Sequence, residues 1–335
     1  MSLIESSAPG RFGVVGNPSD MYGGSVISCS TAERAYCTID TAADRVSVSM
    51  GGEQQTLDSD DGLSLTGGSL DLPKAALIAL GVDPSTVAPF RLEARTEIPR
   101  QSGLAGSTAL FAAILGAVLE HLGRRSNRYA TAEMVRAAEF DIMTTLCGFQ
   151  DAYMVVFGGL QYMDFRTKRV RDNRAGSSPY ATMEPLHEFV PAGIPVVVAF
   201  TGVMHHSGQT HASLYERYLA GDSDAISAAH EFASYARAGK RAILDEDWPA
   251  LAGWMTKNQE LIRAVQPQNP ANEMLIEAAL SAGALAAKLA GAGGGGSIVA
   301  LTTDPDKVAH ALSSAGAAQI LRPLPSPGLT VRRVE

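Results

Sequence analysis

Cysteine is scarce in this chain: Cys29, Cys37 and Cys147 are scattered through 335 residues, and no two of them form a CxxC pair. An odd, irregular set excludes a disulfide framework and a cysteine-built zinc site, and it suits a reducing cytoplasm. Basic charge is also in short supply, with 27 Lys and Arg against 35 Asp and Glu and a formal net charge of -8. Gripping a nucleic-acid backbone calls for a broad basic surface, so nucleic acid is excluded as the main partner, and any anionic ligand must be met by local donors. Membrane signals are missing as well. The run Ile194 to Phe200 (IPVVVAF) is far too short to span a bilayer, and the opening MSLIESSAPGRFGVVG has no basic segment followed by an apolar stretch. The expectation is a soluble, cytoplasmic protein without a membrane partner.

What is present is ample apolar material, 46% of residues, which is enough for a sizeable core. The length exceeds that at which one core keeps growing, so two domains are expected, 1–190 and 191–335. Segments rich in Val, Ile, Tyr and Thr predict strands at Arg11 to Val15, Ser25 to Ser30, Ala35 to Ile39, Arg45 to Met50 and Phe90 to Ile98. Helices are expected near Ala75 to Leu80, from Ser107 onward with one buried face, and over Thr131 to Leu146. Asp151 to Phe165 reads as two short strands around Gly158-Gly159, and Thr167 to Pro179 as a mobile basic excursion. The second half predicts a strand at Pro195 to Phe200 and helices near His211 to Leu219, Asp224 to Ala238, Asp245 to Val265 and Asn272 to Ala287. A glycine loop at Gly291 to Gly296, a strand at Ser297 to Leu301, a helix at Pro305 to Ser314 and a strand at Leu329 to Val334 complete the pattern. Strand and helix alternate without one doubly wound parallel pattern, which gives an α+β class.

The chemistry is concentrated in PRQSGLAGSTA, Pro99 to Ala109, a small-residue loop that runs into a helix. Converging backbone N–H groups and a helix N-terminus form an anion cradle. It is not a Walker A loop, because GxxxxGK followed by Ser or Thr is absent. Alone, a tight turn with an N-cap serine explains it equally well. The glycine run Gly291 to Gly296 would alone read as a flexible linker, but the strand SIVAL follows it at once, which favours close backbone approach to a ligand.

Taken together, PRQSGLAGSTA, APGR at Ala8 to Arg11 and KLAGAGGGGS at Lys288 to Ser297 resemble the three motifs of the GHMP kinases, the superfamily of galactokinase, homoserine kinase, mevalonate kinase and phosphomevalonate kinase. The first motif resembles Pro9-Gly10-Arg11 and the following Gly16. The second, PxxxGLxSSAA, matches Pro99, Gly103, Leu104, Ser107 and Ala109, while Gly106 and Thr108 replace the common serine and alanine. The third matches Gly291 to Gly296. The resemblance implies a two-domain α+β fold, N-terminal ribosomal-protein-S5-domain-2-like and C-terminal ferredoxin-like, with a ligand cleft between the domains. It also implies ATP and Mg²⁺ as cofactors, with ATP held by Pro99, Ser102, Gly103, Leu104, Ala105, Gly106, Ser107 and Thr108. Asp151, in CGFQDAYMVVFGG, is similar to the aspartate of galactokinase and bacterial heptose kinases that acts as base or orients the acceptor hydroxyl. Arg11 matches the cation beside it. Ser107 and Glu139, the latter twelve positions before Asp151, match the pair that shares the metal.

GNPSDMYGG stands where galactokinase has GEHTDYxGG, and its form is similar to the glucuronokinase branch, as are SGQTHASLYERYLAGD and WMTKNQELIRAV. By that resemblance Asn17, Asp20, Gly23, Asp151, Gly293 and Gly294 line the substrate, a sugar or sugar acid. Arg217 and Arg263 are candidates for a sugar carboxylate, although solvated helix arginines are the commoner case. His205, His206 and His211 do not have the spacing of a zinc site, since 206 and 211 are five positions apart rather than the four that align on a helix. Other readings are a heptose-phosphate or mevalonate-type kinase, a non-catalytic sugar or nucleotide binder, and an ATP-dependent decarboxylase on the same fold. Monomer and homodimer stay open.

Overall fold

The computed structural model describes residues 3–58, 60–168, 179–204, 207–291 and 296–334, with the side chains of 60–61 and 207–212 excepted. Its first strand, β1 (Leu3–Val15), alternates buried Ile4, Ser6 and Ala8 with half-buried neighbours before becoming buried throughout. β2 (Ser25–Asp40) runs antiparallel along it. Two separate strands, Ser25 to Ser30 and Ala35 to Ile39, were expected in place of β2. They are one strand because Arg34, at the polar interruption, pairs with Pro9 and donates to the carbonyls of Ser7, Pro327 and Gly328. The pairing of β1 with β2 shifts register between Pro9 and Arg11 and between Gly13 and Val15, and such bulges re-aim side chains.

β3 (Ser47–Met50) and β4 (Glu53–Thr56) form a hairpin, its second strand lying in a stretch too polar to signal a strand. α1 (Asp71–Ala79) precedes β5 (Arg91–Thr96), which is antiparallel to β2 and parallel to β3. α2 (Gly106–His121) packs on β1 and β2 and is buried nearly all round, from Thr108 to Leu119, not on one face only. Its alanines and Gly116 make this possible, since a Cβ on Gly116 would press on Leu329, Val331 and Ser6. α3 (Arg128–Ala137), capped by the Asn127 side chain, ends in a π-helical turn at Ala138–Ile142, short of the helix expected to Leu146.

Where two strands were expected at Asp151 to Phe165, the chain forms α4 (Gln150–Phe157) and then β6 (Leu160–Asp164). The run DAYMVVF is apolar enough for either element, and its first-turn contacts decide for helix. β6 pairs with the first half of β2 and with β7 (Thr182–Pro185). Most of the excursion expected at Thr167 to Pro179 lies outside the described residues.

The second half contains β8 (Val196–Phe200), α5 (Ser207–Leu219), α6 (Ser223–Leu244), α7 (Trp248–Val265), α8 (Pro270–Ser281), β9 (Ala286–Leu289), β10 (Ser297–Leu301), α9 (Pro305–Ser314) and β11 (Gln319–Leu321). Asp247, Asn269 and Asp304, each followed within two residues by proline, cap α7, α8 and α9. The helix expected to Ala287 stops at Ser281, and residues 286–289 become a fully buried strand instead. The second sheet has the order β11-β8-β10-β9, antiparallel throughout. β12 (Thr330–Val334) returns to the first sheet beside β1, whose order is β12-β1-β2-β5-β3-β4. A boundary at 190 therefore leaves the last strand on the first sheet. No described helix is long and apolar enough to cross a membrane.

Candidate active site

Arg11 lies in the bulged part of β1, 6% exposed. Its Nε donates to Asp151 Oδ1 at 2.7 Å and its Nη2 to Oδ2 at 2.8 Å, while Nη1 donates to the Gly103 carbonyl at 2.6 Å. One guanidinium thus fixes the orientation of the Asp151 carboxylate and ties it to the second motif. Asp151 stands in the first turn of α4, with its side chain 24% exposed. Each of its oxygens has lone-pair capacity beyond the bond to Arg11, so it can accept from an arriving hydroxyl.

Glycines bring the motifs into contact. A Cβ on Gly10 would lie 2.9 Å from the Leu104 carbonyl oxygen, and one on Gly291 would lie 2.6 Å from that of Gly103. The Arg11 amide donates to Leu104 at 3.0 Å and the Gly13 amide to Ala290 at 2.7 Å. All three sequence motifs therefore meet around residues 103–104, although 280 positions of chain separate Arg11 from Gly291.

The loop itself holds left-handed backbone at Gln101, Gly103 and Ala105, two of them not glycine. Non-glycine residues in that region persist where the surroundings enforce them, often at ligand clamps. Ala105, at the N-cap of α2, supplies no side-chain cap, so the first amides of the helix are left for another acceptor. Ser102, 1% exposed, has a hydroxyl with no partner among the described residues. These are the donors that a phosphate chain requires.

Glu139 sits on the π-helical turn after α3, a kind of irregularity frequent at functional sites. Thr108 Oγ1 donates to its Oε2 at 2.8 Å, and the exposed Ser107 also hydrogen-bonds to it. Burial, then the charge of Asp151, pushes the Glu139 carboxyl up to about 7, and the two hydroxyls oppose this. Ser107 and Glu139 are hard oxygen donors that fit Mg²⁺, and a bound cation would offset the cost of holding this carboxylate in a dry place. Among the described residues there is no group of three His, Cys, Asp or Glu that could hold a metal ion by itself.

Asp20, expected at sugar hydroxyls, is 1% exposed and faces inward. Its Oδ2 accepts the amides of Phe149 and Gln150 at 2.9 and 3.0 Å, and its Oδ1 accepts Gln150 Nε2 at 3.0 Å. Burial raises its carboxyl to about 6 against these bonds, with the nearby charge of Asp151 adding to the rise. Gly23, at φ 77°, closes the turn that carries Asp20. Asn17, 2% exposed, accepts from Lys288 Nζ at 2.8 Å and donates to the Gly291 carbonyl at 3.4 Å. Pro99 is half-buried at the loop's entrance, and Leu104 and Ala105 are buried beneath it. Gly106 opens α2 against Ile98.

Gly293, Gly294, His205 and His206 lie outside the described residues, as does the side chain of His211. Arg217 and Arg263 pair with Asp222 and Glu273. Sequence reasoning missed Thr108 as a partner of Glu139. It also missed Arg136, which is buried between the rings of Phe140 and Phe149 and donates to the carbonyls of Gly148 and Cys147. Lys288 and Asn258 stood inside motifs already singled out, but nothing in their spacing marked them as buried partners of Asn17.

Residues 71–159 match the family model of the GHMP kinases N terminal domain, and residues 240–318 match that of the GHMP kinases C terminal domain. Over 212 residues the chain is 31% identical to Glucuronokinase 1 of Arabidopsis thaliana, an alignment covering 62% of this chain and 56% of that protein. It thus spans little more than half the length of the Arabidopsis glucuronokinases it matches. It is 25% identical over 321 residues to the D-glycero-alpha-D-manno-heptose 7-phosphate kinase of Campylobacter jejuni, covering 92% of this chain and 91% of that one. Galactokinase of Lactococcus lactis, solved with galactose, superposes with a TM-score of 0.79 at 16% identity over 98% of this chain and 95% of the other. At that identity the likeness speaks for the two-part α+β fold alone.

Proposed function

The chain belongs to the GHMP kinases, and on that premise we propose that it transfers the γ-phosphoryl group of ATP to a hydroxyl of a sugar or sugar acid. The observation that carries this reading is the Arg11–Asp151 pair, held against Gly103 at the point where the three motifs meet. The glucuronokinase and heptose-kinase relatives favour a sugar-type acceptor, with the anomeric hydroxyl among the candidate positions.

Asp151 orients the acceptor hydroxyl, or takes its proton, from the start of α4. Arg11 fixes that carboxylate and sets positive charge beside the phosphates. The amides of residues 103–108 and the Ser102 hydroxyl receive phosphate oxygens, where charge builds up in the transition state. Ser107 and Glu139 would hold Mg²⁺, which when bound would neutralise phosphate charge. Asn17 and Gly23 shape the acceptor side. Asp20, whose oxygens are taken by α4, acts there by setting the helix that carries Asp151. Retention of Asp151, Glu139 and Ser107 together weighs against a non-catalytic binder.

The test is an ADP-release assay across uronic acids, aldoses, heptose phosphates and mevalonate, with and without Mg²⁺, followed by identification of the product. Mg²⁺-dependent phosphorylation of a sugar or uronic acid is expected. Phosphorylation of mevalonate alone, release of carbon dioxide, or nucleotide binding without product would overturn the reading.

A further inference from the structure

Lys288, on β9, is 0% exposed. Its ammonium donates to Asn17 Oδ1 at 2.8 Å and to the Leu289 carbonyl at 2.5 Å, and no carboxylate among the described residues pairs with it. An unpaired buried ammonium is expensive, so its position calls for an account. The groups that face it are polar but neutral, or of like charge. On β10 its strand partner is Val299. From α7, Asn258 donates to the Asn17 carbonyl at 3.1 Å and accepts from the Gly16 amide at 2.6 Å, while Gln259 accepts from the Leu289 amide at 3.0 Å. From β1, the charge of Arg11 acts on it unfavourably.

We infer that Lys288 is a positioning residue that holds the Asn17 side chain against the Gly291 backbone, locking the acceptor-side turn to the third motif when the lysine carries its proton. Asn17 has one amide to share between the two. With Oδ1 fixed by the ammonium, its Nδ2 is turned toward the Gly291 carbonyl, and Gly291 in turn rests on Gly103. Burial, then Arg11, lowers the lysine to about 7, so its proton is exchangeable near neutrality. A polyanion arriving beside Arg11 and Gly103 favours the protonated form. Nucleotide binding and protonation of Lys288 are therefore coupled, and each strengthens the other.

The proposal rests on the kinase reading, and its test separates the two. Binding of ADP to the full chain is measured by titration calorimetry from about pH 6 to about pH 9 in buffers of different ionisation enthalpy, with wild type, Lys288→Met and Asn17→Leu. Wild type should take up a proton on binding above pH 7 and lose affinity by several-fold over about two units as the pH rises. Lys288→Met should bind more weakly at pH 6 and lose this component of proton uptake. Asn17→Leu should move the pH dependence to lower pH, because the ammonium loses an acceptor. Unchanged proton uptake in Lys288→Met overturns the inference while the kinase reading stands. If Lys288→Met does not fold, a pH dependence in Asn17→Leu identical to that of wild type overturns it. Absence of ADP binding by wild type removes the kinase reading and the inference together.

Discussion

Glu139 is asked to do two incompatible things. It sits in a dry place against Thr108, beside the Asp151 charge, yet in its proposed role it must be ionised to serve a cation. Glu139→Gln should therefore stabilise the ligand-free protein at pH 8 by about 1–3 kcal/mol, because it removes an uncompensated buried charge while keeping the shape. The same change should abolish Mg²⁺-dependent turnover. Urea unfolding and ADP release on one preparation check both halves, and a variant that is both less stable and fully active contradicts the assignment. The three buried titrating groups also set a pH dependence. Asp20 and Glu139, raised to about 6 and about 7, keep protons in the folded state that the unfolded chain has already released. Their contribution to stability is present at acid pH and is lost as the pH rises through 6 and 7. Lys288, lowered to about 7, works in the opposite window: above it the unfolded chain holds the extra proton, so stability rises again toward the ordinary lysine range. The contribution of these groups should thus pass through a minimum near pH 7. Denaturation midpoints at pH 5, 7 and 9 measure it, and flattening of the alkaline limb in Lys288→Met assigns that limb.

At the scale of the element, the turn between α3 and α4 sets the geometry. Arg136 holds it from one side, stacked 4.6 and 4.1 Å from the Phe140 and Phe149 ring centroids, and Asp20 holds it from the other by capping α4. Arg136→Lys keeps the charge but loses the planar fork and the stacking. It should lower stability by about 1–3 kcal/mol and reduce kcat more than it raises KM for ATP, since Asp151 rather than the phosphate loop is displaced. A rise in KM alone would argue that the turn does not govern Asp151. This element also shows how far sequence reasoning reaches. The glycine-flanked loop, the helix after it and the caps at Asn127, Asp247, Asn269 and Asp304 carry local signals, and the structure contains them. DAYMVVF carries no such signal. Its helical state is set by the buried Asp20 carboxylate, which reaches it from 130 positions away, as the Asp20–Gln150 bond records. The strand at Ala286 to Leu289 was hidden in the same way: alanine suggests helix, and only the neighbouring β10 makes those residues a strand.

At the scale of the whole molecule, the site exists because β1, the loop before α2, α4 and the end of β9 come together. Gly10 and Gly291 let the first and third motifs approach the loop at residues 103–104. Gly291→Ala places a methyl group 2.6 Å from the Gly103 oxygen and should force the third motif off the second. The expected outcome is nucleotide affinity weakened by at least about tenfold, with a fold stable enough for normal purification. Wild-type affinity would show that the two motifs need not touch. Motif identity was readable from sequence, as were Arg11 and Asp151 as a pair, because short patterns mark them. The inward turn of Asp20 and the partners of Lys288 were not, since burial is a property of the assembled sheets and no pattern of spacing encodes it.

The central claim is that Asp151, fixed by Arg11, directs the acceptor hydroxyl at ATP. The most direct measurement is single-turnover phosphoryl transfer by Asp151→Asn at saturating ATP, Mg²⁺ and the acceptor identified by the substrate screen, with ATP affinity measured in parallel. The prediction is ATP binding within about threefold of wild type and transfer slowed by at least about 10³-fold. Undiminished acceptor-dependent ADP release in that variant would contradict the account.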